Sequence, residues 1–248
     1  EDTEEVLSEV DGDNLDNEKK DDSQNSTQEE QVKSSETISA EINTPQREVE
    51  LLDKKDNSNT PSLDNCDLSE LDLADLDFLS ISIQNANLTK TILNRANLSN
   101  VSLKKTNMSN ANLNDTDLSK ANLSDANLSQ ASLEDANLEE SIFNKTNLSG
   151  ATLERANLRK CTFIESNLTN AKLNETTCGL ADFSRSDLTN AKAIGADFNR
   201  VKLSGTNLNN ADFTDSRLSM SVFFESKFIG TNLNRAQIKG SKLVKADF

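Results

Sequence analysis

The stretch Asp125–Glu140, DANLSQASLEDANLEE, decides the fold. Its leucines, Leu128, Leu133 and Leu138, stand five residues apart, each with a small residue two places before it. On an α-helix five residues advance about 500°, so successive leucines step about 140° around the axis and build no stripe. On a strand five is an odd number, so successive leucines alternate between opposite faces. What remains is a short extended step, in which residues two apart share a side, followed by a bend that repeats.

Outward from that stretch the register holds from Leu63 to Phe248, where all 38 positions at the five-residue spacing are apolar. Most are Leu or Phe, and Cys178 and Ala193 are the smallest. Two positions earlier, from Ala86 to Ala246, every residue is Ala, Ser, Thr, Cys or Val. The other three positions of each unit are dominated by Asn, Asp, Ser, Lys, Glu and Arg. Each unit therefore turns one large and one small side chain inward and three outward. The narrow interior leaves little volume for a buried ligand.

The units ANLSN, ANLSD, ANLSQ, ANLEE, ANLRK and ADFSR resemble those of the pentapeptide repeat proteins, whose motif is A(D/N)LXX. The resemblance covers about three quarters of the chain with no insertion. It implies an all-β fold, a right-handed quadrilateral β-solenoid of about nine 20-residue coils. With coils about 4.8 Å apart, that is a rod on the order of 45 Å long.

Two columns of residues agree with a coil of 20. Phe143, Phe163, Phe183 and Phe223 recur at multiples of 20, with Leu203 in the gap, and are expected to stack inside as a core column. Asn87, Asn107, Asn127, Asn147, Asn167 and Asn207 form an outer column, interrupted by Asp187 and ended by Lys227. At the first coil Leu71, Leu76 and Ile81 exceed the usual small residue, which predicts local irregularity.

Charge divides the chain near Thr60. Residues 1–60 hold 19 acidic and 6 basic side chains, whereas 61–248 hold 23 and 20. The first segment, rich in Asp, Glu, Ser, Asn and Gln and without aromatics, is expected to be an acidic, mostly disordered tail. Within it TPQREVELLDKK predicts a short helix near 45–55, with Thr44 as N-cap and Pro45 at the first helical position. The two domains are thus 1–60 and 61–248.

No catalytic constellation is present. The chain has no His, which excludes histidine acid–base chemistry and His-ligated metals. Cys66, Cys161 and Cys178 have no paired spacing and read as buried small residues, so no cofactor or metal is expected. No apolar run is long enough to span a membrane. Localisation stays open between the cytoplasm and export after removal of an unseen leader.

A long regular surface without a pocket suits binding of another macromolecule. The side carrying the Asn column, with TNMSN, ANLSQ, TNLSG, SNLTN and TNLNN, is almost free of charge and is assigned as the interaction face for an unidentified protein partner. The expected function is a non-enzymatic scaffold, with the acidic tail as a flexible arm. The resemblance implies an alternative, because some pentapeptide repeat proteins mimic duplex DNA and bind or protect the type II topoisomerase gyrase. The near balance of 23 acidic and 20 basic residues departs from that dense anionic pattern. Direct nucleic-acid binding is disfavoured by a pI near 4.5 and by the lack of aromatics in the basic stretch NRAQIKGSKLVK. The repeat runs to Phe248 with no cap, which suggests an end-to-end homodimer.

Overall fold

The computed structural model describes residues 62–248. The expected disordered tail and the helix near 45–55 lie outside the described residues. Within them the chain winds as a right-handed quadrilateral β-solenoid, each coil built from four pentapeptides. Parallel bridges join residues 20 apart, from Ser62 with Ser82 to Lys227 with Asp247. Each bridge is isolated, so among the described residues a side contributes one paired residue and not an extended strand.

The opening stretch shows how the backbone is satisfied. Leu128 N–H donates to Asn147 O at 2.7 Å and Gln130 N–H to Ser149 O at 2.9 Å, both one coil ahead. Asn127 N–H donates one coil back, to Thr106 O at 2.9 Å. Ala131 N–H then closes the corner on Leu128 O at 3.1 Å. Three bonds along the rod and one around the corner leave few polar backbone groups unpaired in the interior coils.

The corner explains the period of five. The second residue after each inward residue of the five-residue register has positive φ, from Asn65 at 61° to Lys245 at 57°, and the residue before it does not. That is the sign pattern of a type II turn. Gly150, Gly195, Gly205, Gly230 and Gly240 occupy this left-handed position, where lack of a Cβ removes the strain. Most corners nevertheless carry Asn, Asp, Lys, Arg or Glu, and inter-coil bonding holds them there.

Four sides follow, each named here by its inward residues. Side I carries Ile83, Leu103, Leu123 and Phe143; side II Leu88, Met108, Leu128 and Leu148; side III Leu93, Leu113, Leu133 and Leu153; side IV Leu98, Leu118, Leu138 and Leu158. These residues are at most 1% exposed, and they fill the axis with apolar contacts. The expected Phe column lies on side I. Phe143 and Phe163 stack at 4.8 Å between centroids, and Phe163 and Phe183 at 4.5 Å, with ring planes within 9°. Phe223 lies on the same side beyond Leu203 and meets Phe228 at 5.3 Å instead. Beside the small Cys178 and Ala193, the rings of Phe183, Phe198 and Phe213 touch in series at 5.5 and 5.2 Å.

Hydroxyls at the small position are buried and bonded. Thr116 Oγ1 donates to Leu93 O at 2.9 Å, Thr146 Oγ1 to Leu123 O at 2.7 Å and Ser226 Oγ to Leu203 O at 2.6 Å. Each carbonyl already accepts a corner N–H, so the hydroxyl uses its second lone pair. The expected irregularity of the first coil appears at its bulky residues. Bridges and positive-φ corners start at Ser62. The Leu71 corner bond to Leu68 O is nonetheless long at 3.5 Å, and none is made from Leu76 N–H to Leu73 O. No bridge joins Ser82 to Ser102, beside Ile81. At the other end the coil closing at Phe248 exposes Val244 by 57% and Phe248 by 70%.

Candidate interaction surface

The Asn column lies on side II, at the bridging residue of each coil. Asn107 pairs with Asn87 and Asn127, Asn127 with Asn147, Asn147 with Asn167, and Asp187 with Asn167 and Asn207. The side chains form a ladder: Asn127 Nδ2 donates to Asn107 Oδ1 at 3.0 Å, Asn147 Nδ2 to Asn127 Oδ1 at 3.1 Å, and Asn167 Nδ2 to Asn147 Oδ1 at 3.3 Å. Asn87 Nδ2 makes a separate rung, to Asp67 Oδ1 at 2.9 Å. Each Oδ1 also accepts the N–H two residues on, as Asn107 does from Ser109 and Asn207 from Asn209, both at 3.2 Å. Asp187 keeps that second role toward Thr189 at 2.9 Å, but a carboxylate cannot donate along the ladder.

The ladder therefore spends the amide groups of Asn127, Asn147 and Asn167 internally. What side II offers outward is the row beside it, Ser109, Ser129, Ser149 and Thr169, and the corner residues Asn110, Gln130, Gly150 and Asn170. From Thr106 to Asn170 no residue of this side is charged. Sequence reasoning found the column but not these roles. Positive φ at the fifth position had one visible signal: five of the chain's seven glycines fall there.

The other sides carry charge arranged in pairs one coil apart. Arg155 meets Asp135 at 2.7 Å and Glu134 at 3.3 Å, Arg95 meets Asp75 at 2.6 Å, and Lys160 meets Glu140 at 2.6 Å. The hydrogen bond from each Arg holds the Asp75 and Asp135 carboxyls below the usual carboxylate range, and Lys160 does the same for Glu140. These groups are solvent-exposed, so each pair stabilises little. The carboxylates are ionised and matched, which is opposite to the raised acid that general-acid catalysis needs.

The buried thiols are not poised for chemistry either. Burial pushes Cys161 well above the ordinary thiol range and Cys178 up to about 12, and Cys161 Sγ donates to Leu138 O at 2.8 Å. A thiol without access or thiolate character is a poor nucleophile. Among the described residues no group of three or more His, Cys, Asp or Glu could hold a metal, and no helix is long and apolar enough to cross a membrane.

Comparison with known proteins places this geometry. Residues 81–119 match a family model described as pentapeptide repeats (8 copies), and residues 136–213 match one described as pentapeptide repeat region. No curated protein sequence matches the chain. Among solved structures, a trypsin-treated variant of QnrB1, a plasmid-mediated fluoroquinolone resistance protein, aligns at TM-score 0.52 and 14% identity, over 65% of this chain and 88% of that one. HetL, a pentapeptide repeat protein involved in heterocyst differentiation regulation from the cyanobacterium Nostoc sp. strain PCC 7120, is 24% identical over 81% of this chain and 93% of its own, at TM-score 0.35. A pentapeptide repeat protein of the Arabidopsis thaliana thylakoid lumen is 30% identical over 36% of this chain and 63% of that one, at TM-score 0.36. With its unbroken five-residue register, left-handed corners and 20-residue coils, the chain belongs to the pentapeptide repeat proteins.

Proposed function

We propose that the protein is a non-enzymatic scaffold that docks a protein partner on side II, with the acidic segment 1–60 as a separate arm. The observation that carries this reading is the uncharged strip from Thr106 to Asn170, backed by the amide ladder. A surface whose side chains are already fixed loses little conformational entropy on binding. Its hydroxyls repeat at the coil spacing, so an extended partner can meet the same group at every step. The near balance of charge over 61–248 favours this reading over mimicry of DNA at a topoisomerase.

The test leaves the ladder intact. Asn110→Lys, Gln130→Lys and Asn170→Lys place three cations along the strip, at corner positions where Lys90, Lys120 and Lys160 already sit without loss of the turn. Partners recovered by affinity capture with the wild-type chain are expected to be lost with this variant. They are expected to be retained by a control with the same change at Asn85, Asp125 and Gly205 on side I. Retention of every partner by the side II variant would refute the reading. A gyrase supercoiling assay, with no inhibition and no protection expected, separates it from mimicry.

A further inference from the structure

We infer that side IV is a self-complementary surface on which a second copy of this chain packs antiparallel. The observation is an order of charge that reverses over eight consecutive pentapeptides of that side. From Leu76 to Met220 the eight pentapeptides of side IV carry net charges of −1, 0, 0, −2, +2, 0, 0 and +1. The series inverts in sign about a centre between Leu138 and Leu158. A two-fold axis crossing the rod at that centre, within the plane of side IV, reverses the rod and keeps each lateral position. It places Glu139 and Glu140 of one chain opposite Arg159 and Lys160 of the other. It also places Asp77 opposite Arg217.

The apolar residues fall in the same register. Leu79, 52% exposed and next to the corner residue Ser80, and Met220, 61% exposed and on the corner row, come together across the axis. Leu180, 51% exposed, lies opposite the pentapeptide ending at Lys120, whose alkyl stem can cover it. Leu180 and Met220 are also the two apolar residues among the non-glycine corners with positive φ, at 67° and 60°. Both stay more than half exposed in that conformation, which Asn or Gly adopts more readily. A two-fold contact makes each pairing twice, so one complementary pair counts as two. Parallel packing on the same side would set Lys160 against Lys160 and Glu140 against Glu140, and is disfavoured by like charge.

Eight coils about 4.8 Å apart and a side roughly 10 Å wide give a contact of roughly 800 Å² in total. That is below the ~1,000 Å² expected of a stable interface, so the pairing is weak and concentration-dependent. It is lateral, unlike the end-to-end association suggested by the exposed last coil, and it leaves side II free.

Sedimentation equilibrium of the full chain from micromolar to several hundred micromolar tests it. A monomer–dimer equilibrium is expected, with Arg217→Asp and Asp77→Arg each weakening dimerisation about tenfold or more. The double variant is expected to recover within about threefold. The two positions are seven coils, about 34 Å, apart in one rod, so recovery can come only from contact between chains. In a Cys66→Ala background, mixing Leu79→Cys with Met220→Cys chains and adding a short bis-maleimide is expected to give cross-linked dimer, with far less from either alone. A monomer at every concentration overturns the inference. So does a dimer insensitive to Arg217→Asp, or cross-linking no stronger in the mixture than in the single variants.

Discussion

Replacing Phe163 tests whether the side I column acts as a stack or merely fills volume. Phe163 is fully buried between Phe143 and Phe183, with centroid distances of 4.8 and 4.5 Å and ring planes 9° and 5° apart. Phe163→Ala leaves a cavity that the rigid coils cannot close and should cost about 4 kcal/mol. Phe163→Leu is more informative, because Leu123 and Leu203 occupy the same inward column two coils away on either side. Volume is then largely kept, while two ring contacts worth about 0.5–1.5 kcal/mol each are lost. The expected cost is about 2 kcal/mol. Phe78→Leu serves as the control: Phe78 is 1% exposed, and its column neighbour one coil on is Leu98, so only about 1 kcal/mol or less is expected. Urea denaturation followed by circular dichroism measures all three. Hydrogen exchange at the amides of 143–183 checks that the loss is local, as nearest-neighbour coupling requires. If Phe163→Leu costs no more than Phe78→Leu, stacking contributes nothing beyond burial and the reasoning fails.

Thr116→Val removes the buried hydroxyl donor to Leu93 O and keeps the shape, so a loss of about 1 kcal/mol is expected in the same assay; no change would mean that the hydroxyl bond is dispensable. Asp75, Asp135 and Asp215 titrate below their ordinary value because an Arg one coil on donates to them, and Asp67 because Ser69 does. A depressed carboxyl stabilises the fold fully above the ordinary value near 4 and loses that contribution as pH falls through the folded-state value. The Tm should therefore be flat from about pH 5 to 8 and fall below about pH 4, with no step near pH 6.5, since the chain has no His. A step there would contradict the assignment. In a Cys66→Ala background, Cys161 and Cys178 should ignore a thiol reagent at pH 8 until urea unfolds the chain, and prompt reaction under native conditions would show that the core opens.

The fold was legible because its core is written at a fixed interval. Leu128, Leu133 and Leu138 state the corner spacing, and the Phe143, Phe163 and Phe183 spacing states the coil. Other features depend on where lone pairs and amide hydrogens meet after winding. That Thr116 would bond Leu93 O, 23 residues back, follows from the stacking of coils and not from any local pattern. The Asn column was visible as a repeat, but its use as an internal ladder was not, because an Asn repeated for bonding looks the same in sequence as one repeated for display. The charge order of side IV lay in the letters throughout, yet it becomes a pattern only when residues are sorted by side. Ile81 shows the converse: its bulk is plain in the sequence, and in the structure it stands beside the missing Ser82–Ser102 bridge.

The central claim is that 20 residues advance the chain by one coil along a straight rod. Spin labels on Cys replacing Lys90 and, in turn, Asn170, Asn190 or Asn210 sit on the same side II corner four, five and six coils apart. With Cys66→Ala to silence background labelling, pulsed dipolar spectroscopy should give separations near 19, 24 and 29 Å, rising by about 4.8 Å for each added 20 residues. Distances that fail to rise in that even step would contradict the account.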